Sequence, residues 1–249
     1  MKKLIILLLS NFLIANITSD AAITIDNGVT VTINGNFSNS GNVGNDGALN
    51  INGYYDHNAG AGTFSGSGTF SLCDQPKDLH SGANLISFYA LPENNSISNV
   101  MSSIEGVATG VIGEGVASSY IEDNGWMGSL SNISPTSGYW VIVDESCELS
   151  LCDAVLTPPV TEYNLHTGAN LISFLSFGNI DIGESIPDDI EDYITGIIGE
   201  GVATTNNGGE WMGSLSKFYG GKGYWVMTTE DISLSFELNT LQRKSSNNY

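Results

Sequence analysis

Two histidines and two glutamates stand at matched places in this chain. His80 and His166 lie in LHSGANLISF and LHTGANLISF, and Glu114 and Glu200 lie in GVIGEGVA and GIIGEGVA. Imidazole and carboxylate are the common proton carriers of acid–base catalysis. Each histidine, however, stands beside Gly and Ser or Thr with no serine or cysteine in an elbow motif to activate. The residues read as edge-strand histidines with a satisfied ring nitrogen. Glu114 and Glu200, each between two glycines, put a carboxylate beside exposed backbone carbonyls, the oxygen set that calcium takes. Calcium is the one cofactor the sequence suggests, and a solvated hairpin carboxylate is the plainer reading of both positions.

Four aromatics recur in the same way: Trp126 with Trp211, and Tyr139 with Tyr224. They would serve either as core or as a platform on which sugar rings stack. Three cysteines remain. Cys73 and Cys152 recur in Ser-Leu-Cys-Asp, whereas Cys147 faces Ile232 in the alignment of the copies. A bridge from Cys73 to Cys147 would tie the start of the first copy to its end, stabilising by about 4 kcal/mol in the chain-entropy picture, although three pairings are open to three cysteines. The acids Asp188, Asp189, Glu191 and Asp192 have Met101, Ser102 and Ser103 among their counterparts, so they read as a solvated helix face. No GxGxxG, Walker, HExxH or paired-acid glycosidase pattern is present.

The elements that must position these residues are duplicated. LHSGANLISF, TGVIGEGVA, WMGSL and SGYWV return in order as LHTGANLISF, TGIIGEGVA, WMGSL and KGYWV. The offset is 86 at Leu79/Leu165 and Ala117/Ala203, and 85 from Trp126/Trp211 to Val141/Val226, which places one deletion in a hairpin tip. Duplication at this size points to a building or binding unit. The predicted class is mainly β or α+β, each repeat carrying one short helix. Ile97, Val100, Met101 and Ile104 form a helical stripe in the first copy. Ile182, Ile186, Ile190 and Ile194 form one in the second, with Ser185 as N-cap and Pro187 in the first turn. Asn84 to Phe88 predicts a buried strand, and Tyr139-Trp140-Val141-Ile142-Val143 a central one.

Met1-Lys2-Lys3 followed by the apolar run Leu4 to Ile17, with small residues at Ser19 and Ala21, has the form of a secretory signal peptide spanning residues 1–21. Residues 22–72 are rich in Gly, Asn, Ser and Thr. Ile23 to Ile33 alternate around Asp26-Asn27-Gly28 as strand and hairpin, and Ile33-Asn34-Gly35 recurs as Ile51-Asn52-Gly53 eighteen residues on. Repeat 1 is assigned to residues 73–152, a Pro158-Pro159 linker to 153–164, repeat 2 to 165–237 and a polar tail to 238–249, arranged as a string of three units. Seven Lys and Arg against 27 Asp and Glu give a formal charge of -20. Such a surface repels phosphate backbones and argues against nucleic-acid partners. It suits a saline medium, where salt mutes self-repulsion.

The Asn/Ser/Gly-punctuated β-runs of residues 22–72 resemble the coils of β-solenoids in bacterial surface adhesins. The string GANLISFYALPENNSISNV, TGVIGEGVA, WMGSL and GYWVIV resembles a repeat of secreted proteins of marine bacteria and of cyanophage proteins. That resemblance covers residues 79–149 and 165–236. It implies a surface or virion setting and brings no catalytic residues, and Ala83 and Ala169 stand where an aromatic often precedes the strand. The expectation is an exported, non-enzymatic structural or adhesive protein of a cell surface or extracellular assembly. Surface glycans, other extracellular or virion proteins, or further copies are its expected partners, and no membrane span is expected after signal cleavage. A pair of carbohydrate-binding modules using Trp126, Tyr139, Trp211 and Tyr224, and a phage virion component, are the alternatives.

Overall fold

The computed structural model describes residues 17–20, 22–33, 37–39, 41–52, 55–56, 64–73, 77–152, 154–158, 160–176 and 178–238. Most of the expected signal peptide and the polar tail lie outside the described residues. The chain divides into two units, residues 1–76 with 150–154, and residues 77–149 with 155–249. Both are β-rich.

In the first unit, three successive courses of chain stack in register and in parallel. Ile17–Ser19, Phe37–Asn39 and Tyr55–Asp56 form one sheet. Ile23–Ile25, Val43–Asn45 and Phe64–Ser65 form a second, and Thr30–Ile33, Ala48–Asn52 and Thr69–Cys73 a third. The result is a short β-solenoid. The eighteen-residue recurrence is its register, since Ile33 pairs with Ile51. Asp26-Asn27-Gly28 is a corner between two sheets and not the expected hairpin, because the strands on either side of it belong to different stacks. Ile25, Ile33, Phe37, Val43, Leu49 and Ile51 fill the interior. Corners need glycine where coils touch: a Cβ on Gly47 would lie 2.2 Å from the Val29 carbonyl oxygen, and one on Gly68 2.3 Å from that of Gly47.

In the second unit each repeat builds one five-stranded antiparallel sheet. The order in the first is Gly82–Ser87, Gly138–Val143, Ala108–Gly113, Val116–Ile121, Gly125–Gly128. The second repeats it as Gly168–Ile172, Tyr224–Thr228, Ile194–Gly199, Val202–Asn206, Trp211–Gly213. Register is shared to the residue: Leu85 faces Trp140 and Ile112 faces Trp140, as Leu171 and Ile198 face Trp225. Even the bulge recurs, between Ala108 and Gly110 and between Ile194 and Gly196.

One face of each sheet is the core, where Phe88, Val111, Tyr139 and Val141, or Phe174, Ile197, Tyr224 and Val226, are almost fully buried. Each such large apolar side chain contributes roughly 1.5–3 kcal/mol. The second core is aromatic: Phe218 stacks on Phe174 at 5.5 Å and meets Tyr224 edge-on at 4.8 Å and Phe236 at 5.2 Å.

The expected helices are shorter than the stripes suggested. Ile97–Val100 is one α-turn followed by a 3₁₀ turn, Ser102–Ile104. The second stripe breaks into Ile182–Ser185 and Asp188–Glu191, with Ile186 extended between them and Ile194 already in a strand. Ser185 ends the first turn, its Oγ donating to the Ile182 carbonyl at 2.9 Å, and is not an N-cap. Pro187 is the cause, since it has no N–H to continue a helix. The copies therefore differ by more than one deletion: equivalent bonds from Ile97 to Ser131 and from Ile182 to Ser216 give an offset of 85, whereas Asp144 to Val107 and Thr229 to Tyr193 return it to 86 on the helical side.

The two repeats are one body, not two beads on a string. Val155–Leu156, assigned to the linker, pairs with Ala90–Leu91 of the first repeat. Tyr163 belongs to the second core, where its hydroxyl lies 2.8 Å from the Ser173 Oγ, and Phe236 and Leu238 close it. Lys77–Leu79 pairs with Cys147–Leu149, and Tyr163–Leu165 with Ile232–Leu234, so each repeat's entrance and exit are joined by strand pairing. That register sets Cys147 opposite Leu79, and Cys147 is a free thiol. Cys152 is the disulfide-bonded residue, so the expected Cys73–Cys147 bridge is not formed. No described helix is long and apolar enough to cross a membrane.

Candidate functional site

The recurring polar residues converge where the repeats meet. Asn84 folds the preceding turn by imitating backbone: its Oδ1 accepts the His80 N–H at 2.9 Å and its Nδ2 donates to the His80 carbonyl at 2.8 Å. Asn170 does the same for His166, at 2.9 and 2.8 Å. Gly82 and Gly168, at φ of 100° and 110°, supply the left-handed backbone that this turn requires. Each histidine is thereby aimed at the other repeat.

His80 Nε2 lies 2.6 Å from Oε1 of Glu200, and His166 Nε2 lies 2.5 Å from Oε1 of Glu114. The second oxygen of each glutamate accepts a backbone N–H from the opposing strand, Leu85 to Glu200 at 2.9 Å and Leu171 to Glu114 at 2.7 Å. Around this pair of clamps, backbone meets backbone. Ser87 N–H donates to the Gly221 carbonyl at 2.9 Å and Ser173 N–H to that of Thr136 at 3.1 Å. Their hydroxyls donate to the Lys222 and Pro135 carbonyls, each at 2.6 Å. Gly138 and Gly223 sit where a Cβ would come within 2.8 Å of the Ile172 and Ile86 carbonyl oxygens. Most of these contacts have a mirror, the signature of an isologous, approximately twofold interface; the two hydroxyl bonds are the exception, since Lys222 and Pro135 are not equivalent positions.

The electrostatics follow from this geometry. Both ring nitrogens of each histidine face acceptors, Nδ1 meeting the Ser81 or Thr167 carbonyl at 2.9 Å. The imidazolium, with two donors, satisfies both. The Glu200 carboxylate and the Ser81 carbonyl raise His80 above its ordinary value, with Lys222 opposing. The Thr167 carbonyl and then Glu114 raise His166. Partial burial works to raise Glu200, but the bonds from His80 and the Leu85 N–H outweigh it and hold it below the usual carboxylate range. Asp231, which accepts the Thr167 N–H and hydroxyl at 2.7 and 2.9 Å, is held low by those bonds. A cleft of about 310 Å³ opens beside His166, with Glu162 and Asn164 on its wall.

The positions suggested for calcium, Glu114 and Glu200, thus have both oxygens engaged by protein donors. Among the described residues no group of three or more His, Cys, Asp or Glu forms a metal-binding cluster. The proposed sugar platform is also rearranged. Tyr139 and Tyr224 are 2% exposed, and their hydroxyl oxygens accept the Ser134 and Tyr219 N–H at 2.7 Å, so neither ring offers a face to a ligand. Burial raises Tyr139 and pushes Tyr224 up to about 12. Trp126 meets Tyr120 edge-on at 5.6 Å, and Trp211 packs on the core with its Nε1–H donating to Glu191 at 2.6 Å. Both are half-buried rim residues.

Strand alternation turns the neighbouring residue to the outer face of the sheet, Trp140 and its equivalent Trp225, which are half-buried like Trp126 and Trp211. On this outer face cross-strand pairing lays two ladders. One runs Leu85, Trp140, Ile112, Ala117, and the other Ala83, Ile142, Gly110, Ser119, Met127. The second repeat has Leu171, Trp225, Ile198, Ala203, and Ala169, Met227, Gly196, Thr205, Met212. Leu85 and Leu171 are buried, each near the Gly223 or Gly138 backbone of the other repeat. Comparison with known proteins returns no match: no protein-family model, no curated protein and no solved structure is significantly similar to the chain.

Proposed function

We propose that this is an exported structural or adhesive protein of a cell surface or extracellular assembly, non-enzymatic, in which the paired repeats form one display unit. The observation that carries this reading is the use to which the shared polar residues are put. His80, His166, Glu114 and Glu200, the residues best suited to proton transfer, are tied to each other and to backbone across the junction. A β-solenoid joined to a duplicated β module fits a supporting and presenting role, and so does the surface setting that the resemblance of the repeat's motif string implies. The apolar, basic-flanked start of the chain supports export.

The test has two arms. Cell fractionation with surface labelling in the producing organism is expected to find the protein outside the cytoplasm, and the purified chain is expected to adhere to cell-envelope or particle surfaces. Turnover of any member of a panel of polysaccharides, esters and peptides at a rate abolished by Glu200→Gln would overturn the non-enzymatic reading.

A further inference from the structure

We infer that the outward faces of the two sheets bind a neutral polysaccharide. This rests on the adhesive reading and names the surface and the ligand class. The first observation is exposure without a structural reason. Ile112 and Ile198 are 43% and 41% exposed, and Met127 and Met212 are 54% and 57% exposed. Within Trp-Met-Gly-Ser-Leu the other members have folding roles: Gly128 and Gly213 leave no room for a Cβ, Ser129 and Ser214 bond the neighbouring strand, and Leu130 and Leu215 are buried. The methionine has none.

The second observation is that the two copies keep seven of the nine rungs of this face, exchanging only Ile142 for Met227 and Ser119 for Thr205, while other exposed positions have drifted. Ser98 has become Gly183, Asn99 has become Glu184, and the exposed apolar residues Ile121 and Tyr219 stand opposite Asn207 and Ser134. A solubility-neutral surface would have drifted here too.

Charge then selects the occupant. The chain carries a formal -20, yet neither pair of ladders holds one ionisable side chain. An acidic polymer would be repelled by the surroundings of the face. A second copy would bring another net -20, its seven basic residues already counted against 27 acids. A basic partner would find no counter-charge on the ladders themselves. An uncharged, amphipathic ribbon fits, because pyranose rings present flat C–H faces to Trp and to aliphatic side chains. The Ala, Gly and Ser or Thr rungs keep the surface low between Trp140 and Met127. Five strands at ~4.8 Å spacing give about 19 Å of width, room for several sugar rings. Two equivalent faces on one body would act together on a polymer.

The test uses the full chain in depletion and titration assays with amorphous cellulose, chitin, xylan, mannan and β-glucan. At least one of these is expected to bind, with little change between ~0.1 and ~1 M salt because no ion pair is formed. Substituting Ile112→Ser and Met127→Ser should weaken binding several-fold by removing one site. Adding Ile198→Ser and Met212→Ser should reduce it by at least tenfold. Circular dichroism should be unchanged, since all four side chains are exposed. Wild type that adheres to envelope surfaces but ignores every neutral polysaccharide, or a fourfold variant that binds as well as wild type, overturns the inference and leaves the adhesive reading standing. Selective capture of sulfated polymers or basic proteins, or pairing of copies lost in the variant, also overturns it. A wild type that adheres to nothing sinks both readings.

Discussion

The backbone N–H of Leu85 donates to Oε2 of Glu200, a residue 115 positions later in the chain. The edge of one repeat's sheet is thus completed by the hairpin of the other, and Leu171 and Glu114 return the contact.

Replacing Glu200 by alanine removes the acceptor of both His80 and the Leu85 N–H. Leaving that N–H unmet should cost about 1–3 kcal/mol in urea unfolding. Glu200→Gln, which retains a carbonyl oxygen, should lose less. Glu114→Ala should match Glu200→Ala, and equal stability of wild type and both alanine variants would show that the clamps do not hold the repeats together.

The clamps also make stability depend on pH. The raised histidines contribute fully below the ordinary imidazole value of 6.5 and lose that contribution as pH rises through their higher folded values. Glu200, held low, contributes above the ordinary value of 4.5 and loses its share as pH falls through its folded value. The junction is therefore strongest between about 4.5 and 6.5. Because the imidazoles are 59% exposed, solvent screens the effect and it should be small. Thermal midpoints at several pH values should show a difference between wild type and the His80→Gln/His166→Gln variant that is largest in this window and shrinks toward alkaline pH. A difference independent of pH would contradict the assignment.

Gly138→Ala and Gly115→Ala should fail for different reasons. The first drives a methyl to 2.8 Å from the Ile172 carbonyl oxygen and pries the repeats apart; overpacking of this kind costs about 1–3 kcal/mol. The second has open space but a φ of 68°, a local cost of about 1–2 kcal/mol. Hydrogen exchange separates them: faster exchange at Ser173 is expected for Gly138→Ala alone.

Alkylation of the unreduced native protein should modify Cys147 and spare Cys152. Burial, and then Glu145, raises the Cys147 thiol, so the reaction should be slow at neutral pH and accelerate in alkali. Labelling of Cys152 without reductant would contradict the disulfide.

Much of the β architecture was legible in the residues. The Ile33-Asn34-Gly35 recurrence is a solenoid register, and the two series of strand motifs are two sheets of one topology. Two things were not legible. Tyr139 to Val143 is apolar throughout, so no polar alternation says which face is buried, and the choice between core and platform for Tyr139 is made only by the fold, which buries it and turns Trp140 to the outer face. The contacts of His80 with Glu200 and of His166 with Glu114 span 120 and 52 residues and follow from how two folded sheets dock, which no local spacing encodes. Their one trace in the sequence was that both halves had been duplicated together. Pro187 does begin a helical turn, Asp188–Glu191, as expected, but it also breaks the stripe ahead of it, because Ile186 before it is extended.

A reciprocal contact is self-terminating: once two modules have met, neither strand edge nor hairpin remains to recruit another. Growth of such a chain by further duplication therefore has a parity. A fourth copy can be housed as a second couple. A third would leave a bare Asn-Leu-Ile edge and an unsatisfied Gly-Glu-Gly loop, and its natural remedy is a module on a neighbouring molecule, which turns an odd copy number into a crosslink.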